Sequence, residues 1–298
     1  MIVLQQLING ISLGSIYALI ALGFSMVYGI AKLLNFAHGD VLMIGAYTGF
    51  FMLSAIGMRP QGVLIALAGS MIVCVIFALS IERLAYRPLR TRGAPRLNYL
   101  ITAIAVSLIL QNTARILPFM GPTPRRFPHP PIVSIQVAQG LNVSNIQVII
   151  VALSALLMLI LNYIVNYTKR GKAMRAVSFD PQAASLMGIS VNRTIAFTFA
   201  LGATLAGAGG VLFASAYPLV SPTMGMMPGL KAFVAAVLGG IGSVPGAMLG
   251  GYVLGIAEIF AAGFISTQFA DAISFAILIV VLLFRPSGIL GKNYRVKV

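Results

Sequence analysis

IQVIIVALSALLMLILNYIVN, Ile146 to Asn166, carries no charged residue. A bilayer core about 30 Å thick takes about 20 apolar residues in a helix, and this stretch as a helix is about 31 Å long. Lipid offers no water to exposed backbone groups, so such a run is expected to be helical and to cross the membrane. To either side of it, further apolar runs occupy residues 7–30, 41–57, 61–81, 99–117, 194–215, 229–242, 246–264 and 268–284. The runs at 41–57 and 229–242 are short, with Gly and Pro interrupting their flanks. The expected fold class is therefore all-α: a polytopic transmembrane helix bundle of about 8–9 membrane segments, some short or broken.

Composition agrees. The chain of 298 residues is 59% hydrophobic and 8% charged, against roughly 25% charged in soluble domains. So few charges cannot cover a water-soluble surface, and lipid is the solvent for most of this one. The net charge of +15 could suggest nucleic acid, but its placement argues otherwise. Basic residues gather in short loops between apolar runs: Arg83, Arg87, Arg90, Arg92 and Arg96, then Lys169, Arg170, Lys172, Arg175 and Arg193, and finally Lys292, Arg295 and Lys297. Lys and Arg concentrate in cytoplasmic loops, so the charge reads as topology and no nucleic-acid partner is expected.

With loop 82–98 inside, segment 118–145 is external, 167–193 is internal, 216–228 is external and the C-terminal tail is internal. The N-terminus falls outside if 41–57 is a full span. Met1 to Leu7 carries no basic residue and the apolar stretch behind it exceeds a signal-peptide core, so a retained helix is expected there. The external loop 118–145 holds Pro118, Pro122, Pro124, Pro128, Pro130 and Pro131 with Arg125, Arg126 and His129, which excludes a long helix. Ile132 to Asn142 partly alternates, as a short hairpin or cap does; a disordered loop is the other reading. The loop is too small for a domain of its own, so residues 1–298 are read as a single transmembrane domain.

Enzyme signatures are missing. There is no G-x-x-x-x-G-K-[ST], no H-E-x-x-H and no G-x-S-x-G, the patterns that bind nucleotide phosphates, hold zinc or present a nucleophilic serine. His38 and His129 are the only histidines, Cys74 is the only cysteine, and the five acids, Asp40, Glu82, Asp180, Glu258 and Asp271, form no close pair in sequence. No catalytic, metal-binding or cofactor-binding residue is assigned, and a transport role is expected instead of an enzymatic one.

Three features can carry transport. The first is the internal loop 167–193. Asp180 is a natural N-cap, Pro181 suits the first helical position, and Gly188 suits the residue after a helix end. They bracket a helix of about two turns whose Ala183, Ala184, Leu186 and Met187 offer small and apolar contact surface. A short rigid knob can receive force from a separate motor; the plainer reading is a solvated linker.

The second feature is a pair of interruptions, one polar, around Asn35, His38, Gly39 and Asp40, and one glycine-rich, around Gly239, Gly240, Gly242, Ser243 and Gly246. Broken helices near the midplane are the sequence mark of a transporter's substrate path. A half-helix starting near Asp40 or Gly246 would aim its positive end at a carboxylate. Two ordinary surface turns are the alternative. The third feature is the set of polar residues within or beside spans: Gln111, Asn112, Arg115, Lys231, Glu258 and Asp271. Arg115, Lys231 and Asp271 lie near span ends, where snorkelling accounts for them. Glu258 lies deeper, as a structural pair or a substrate contact.

These residues carry a resemblance. Gly14 to Gly23, Leu34 to Asp40, Glu82 to Leu89, Gly171 to Arg193, Gly229 to Gly251 and Phe284 to Gly291 resemble the LivH-type permeases of ATP-binding-cassette importers for branched-chain amino acids. The likeness runs essentially end to end. It implies that Gly171 to Gly188, with Arg175 and Asp180 to Gly188, contains the coupling helix that docks on an ATPase. Relatives often carry an acid where this chain has Phe179. It also implies a second homologous permease, two ATPase subunits that use ATP and Mg, an extracytoplasmic binding protein, and the bacterial inner membrane. Branched-chain or other hydrophobic amino acids are the substrates so implied; similar permeases serve urea or short amides. An ion-coupled secondary transporter is the reading from another class, and of the acids only Glu258 is deep enough to serve it.

Overall fold

The computed structural model describes residues 2–57, 59–129, 133–138 and 141–291. Pro130, Pro131, Ile132 and the terminal basic residues Lys292, Arg295 and Lys297 lie outside the described residues. Twelve α-helices run in order among them: α1 (Ile2–Ala31), α2 (His38–Ile56), α3 (Pro60–Ile81), α4 (Arg87–Thr91), α5 (Arg96–Ile116), α6 (Asn145–Tyr167), α7 (Lys169–Phe179), α8 (Pro181–Leu186), α9 (Val191–Ala216), α10 (Met226–Gly239), α11 (Val244–Phe264) and α12 (Ala270–Phe284). A π-helix, Glu82–Tyr86, joins α3 to α4. Eight helical segments are long and apolar enough to cross a membrane, with α10 as a shorter apolar helix. The protein is a multi-pass membrane protein with the expected helical architecture.

Local sequence explains several ends. Pro60 opens α3 at a position where its missing N–H costs nothing. Ser144 and Gln147 close a capping box on α6. Two small antiparallel ribbons form at residues 125–144 and 219–220: β1 (Arg125–Arg126) with β4 (Leu219–Val220), and β2 (Ser134–Ala138) with β3 (Leu141–Ser144). The hairpin reading of the alternating stretch thus holds, in place of a disordered loop.

Two ends of the bundle can be told apart by what meets there. At one end, the Gln5 side chain exchanges hydrogen bonds with the Asn142 backbone, so the start of α1 sits on the β2–β3 hairpin. At the other, the Ser178 hydroxyl donates to the Gly29 carbonyl at 2.6 Å, bringing the basic helix α7 to the end of α1. Ile289 and Leu290 donate backbone bonds to Leu238 and Gly239, so residues 285–291 and the end of α10 share that basic end.

The core is built on close helix crossings. Gly10 and Gly14 of α1 meet Ile256 and Tyr252 of α11, and Gly207 of α9 meets Ser70 and Met71 of α3. Small residues let these backbones approach, which is how helices associate where no hydrophobic force separates lipid from side chain. The outward faces of α3, α5, α6 and α12 keep large apolar side chains exposed, among them Ile72, Ile109, Leu159 and Leu283, as lipid contact requires.

Two helices start at depth. His38, the first residue of α2, lies against Gly23 of α1, which in turn packs on Gly202 of α9. Gly23 is about 12 Å from the end of α1, and Gly202 is about midway along α9. The chain therefore leaves α1 at the basic end, turns back over residues 32–37, and begins α2 inside the bundle. The start of α10 meets the same place, because Gly225 and Gly229 pack on Gly39. α1–α2–α3 and α9–α10–α11 thus repeat one pattern in opposite directions: a long helix, a return to depth, a helix starting there and a third helix packed across the other repeat.

Candidate functional site

The knob is assembled as its sequence specifies. The Asp180 carboxylate accepts hydrogen bonds from the Gln182 and Ala183 N–H groups at 2.8 and 3.0 Å. At the other end Gly188 N–H donates to Ser185 and Ile189 N–H to Ala184, and Gly188 takes φ +82°. This paired closure needs a left-handed residue, which glycine adopts without strain. Ala184 is buried, while Phe179, Leu186 and Met187 are 84%, 88% and 83% exposed. Gly171 and Arg175 set the knob's base: a Cβ at Gly171 would strike the Ile164 and Val165 carbonyls, and the Arg175 guanidinium donates to Val165. Rigid backbone thus presents three bare apolar side chains to whatever lies beyond the basic end.

The break before α2 gathers polar side chains that sequence order keeps apart. Asn35 is buried and accepts from the Tyr86 hydroxyl at 2.8 Å. His38 packs edge-on to Phe24, ring centroids 4.7 Å apart, and its Nε2 has no hydrogen-bond partner. Asp40 is buried and accepts from Gln111 of α5 at 2.9 Å. Below this, Arg90 pairs with the buried Glu82 at 2.7 Å and also donates to Asn192 at the start of α9. The π-helix therefore lies between the knob's exit and the broken helix, in a geometry often found at functional positions.

The glycine-rich run sits elsewhere than a midplane break would put it. Gly239, Gly240, Gly242, Ser243 and Gly246 form the turn between α10 and α11 at the basic end, with Gly240 against Leu290 and Gly291 and Gly242 against Gly29. Ser243 caps α11 by accepting from Gly246 N–H at 3.2 Å. This is the surface-turn reading. The second helix that starts at depth is α10, entered through residues 221–225, where the sequence predicts an external loop.

Snorkelling does not describe Lys231. Its ammonium is buried between two carboxylates, 2.7 Å from Glu258 of α11 and 2.6 Å from Asp271 of α12. The Tyr17 hydroxyl of α1 donates to Glu258 at 3.1 Å. Side-chain exposures are 8% for Lys231, 13% for Glu258 and 51% for Asp271. A lysine cannot reach an interface when its stem points into a bundle, and burial without a partner would be prohibitive. The sequence signal was a lone lysine inside a 14-residue apolar helix, but its partners lie 27 and 40 residues away (258 − 231 and 271 − 231).

Comparison with known proteins decides the family. The model of the family "Branched-chain amino acid transport system / permease component" matches residues 6–282. The chain belongs to this family. It is 44% identical to the high-affinity branched-chain amino acid transport system permease protein LivH of Salmonella typhimurium, over 97% of this chain and 96% of that one. It is 45% identical, with the same coverage of each, to the permease BraD of Pseudomonas aeruginosa. A weaker likeness, 27% identity over 94% of this chain and 68% of the other, is to the Escherichia coli permease LivM.

Proposed function

We propose that this permease is the membrane subunit of an ATP-binding-cassette importer that moves branched-chain or other hydrophobic amino acids across the bacterial inner membrane. The observation that carries the reading is the end-to-end likeness to LivH and BraD at 44% and 45% identity. Its partners are a second, homologous permease, two ATPase subunits that bind ATP and Mg, and an extracytoplasmic binding protein. The additional likeness to LivM supports a homologous partner permease. The chain itself hydrolyses nothing. ATP-driven closure of the motors pushes on α8 through Leu186 and Met187, and α7 passes the displacement to α1 through Ser178. Asn35, His38, Gly39 and Asp40 lie where that displacement meets the helix break and are assigned to the path; Glu258 acts beside it, by holding the Lys231 ammonium.

The test is co-expression with neighbouring genes, purification in mild detergent and measurement of ATP hydrolysis stimulated by the binding protein. Leucine, isoleucine and valine are compared with urea. Stimulation by the amino acids is expected. Stimulation by urea alone overturns the substrate, and a chain that never recruits an ATPase overturns the importer.

A further inference from the structure

The three-residue charge cluster is the feature that structural burial leaves least explained. Charged side chains within membrane spans are rare and mark substrate or ion paths by default. Lys231 lies about 8 Å along α10 from its start, and that start packs on Gly39 where the two broken helices meet. The cluster therefore lies within about one and a half turns of α10 from the break. Its partners are not equivalent. Glu258 is buried and held a second time by Tyr17. Asp271 is half exposed, one residue into the short α12.

An ammonium group has three donors. Two are taken by Glu258 and Asp271, and the third faces the ring of Tyr17, whose centroid is 5.9 Å away. A carboxylate arriving at this point can thus bind Lys231 by taking the place of Asp271, the more exposed of its two partners. The exchange preserves charge, because one carboxylate replaces another. The displaced Asp271 then faces the incoming molecule and can accept from an ammonium group on it. A zwitterion offers both charges at one carbon.

Resting on the amino-acid reading above, we propose that Lys231 is the carboxylate-binding residue of the translocation path and that Asp271 is a placeholder exchanged for the substrate's carboxylate. Tyr17 and Glu258 are positioning residues: they hold the ammonium in place while Asp271 leaves. The ligand class is an α-amino acid head group. Side-chain selection lies elsewhere.

The test uses the whole importer, reconstituted in proteoliposomes with its binding protein, with leucine as the probe. Lys231→Met is expected to lower leucine import by at least 20-fold. That loss alone does not distinguish the proposal, since the variant leaves Glu258 and Asp271 without a cation. The deciding variant is Lys231→Met combined with Glu258→Gln and Asp271→Asn, which removes every charge of the cluster together. Replacing a buried ion cluster with well-packed apolar groups is often harmless to stability, and an amide at position 258 still accepts from the Tyr17 hydroxyl. If the cluster is only structural, the triple variant imports leucine within about 3-fold of wild type, and the proposal is overturned. If Lys231 binds the substrate, the assembled triple complex stays inactive. Should the triple variant fail to assemble, Lys231→Met with Glu258→Gln, which keeps only the 51% exposed Asp271 charged, decides by the same two outcomes. A wild-type complex that imports no amino acid overturns the substrate reading instead, which separates the two failures.

Discussion

Gly39 and Gly225 show how a single missing methyl places a helix. A Cβ on Gly225 would run into the Gly39 carbonyl, and one on Gly39 into the Gly225 carbonyl. Backbone cannot move aside as a flexible side chain does, and overpacking of this kind costs about 1–3 kcal/mol. Gly225→Ala is therefore expected to lower the melting temperature of the purified permease by several degrees. Gly202→Ala is the comparison, because its Cβ would stop 3.3 Å from the Gly23 carbonyl, a contact relieved by a shift of a few tenths of an ångström; it should lose clearly less than Gly225→Ala. Equal melting of the two variants would mean that α2 and α10 do not meet. Lys231 teaches a related lesson about what residues reveal alone. Hydropathy counts positions from the ends of a run, and by that measure Lys231 could snorkel. Its depth depends on where the run itself begins, which is set by the Gly39 contact and invisible in local order.

Among the elements, α8 was the most legible, since every group that makes it lies within nine residues. Asp180, Pro181 and Gly188 each act on backbone a few positions away, and the structure uses all three as their chemistry suggests. The glycine-rich run 239–246 was less so. Glycines at a turn look alike at a surface and at midplane, and only the contacts with Gly29 and Gly291 put this one at the basic end. The exposed face of α8 separates folding from docking. Asp180→Ala removes a cap worth about 1 kcal/mol and is expected to loosen the knob, lowering import while the chain still reaches the membrane. Leu186→Asp touches a side chain that is almost bare, so the melting temperature should stay as it is. Its effect belongs to the partner: co-purification of the ATPase is expected to fall at least 10-fold. An unchanged yield of ATPase would remove Leu186 from the docking surface.

On the scale of the molecule, opposed repeats make the direction of every span depend on one choice. α1 starts on the β2–β3 hairpin through Gln5 and ends beside Ser178 of α7; α9 runs the other way, and the spans between them alternate. The positive loops select which end faces the cytoplasm, so charge and packing must agree or the assignment fails as a whole. Each provides an independent marker. Leu4 and Ile135 are exposed at the hairpin end, Leu186 is exposed at the basic end, and Cys74 is buried, so the native thiol leaves little background. Single substitutions Leu4→Cys, Ile135→Cys and Leu186→Cys can then be probed with a membrane-impermeant maleimide on spheroplasts. Residues 4 and 135 are expected to label on intact spheroplasts, and residue 186 only after the membrane is opened. Labelling of 186 from outside, with 4 and 135 protected, would invert the protein and put the knob on the side that has no ATP. Labelling of 135 without 4 would break α1 away from the hairpin and, with it, the opposed-repeat arrangement.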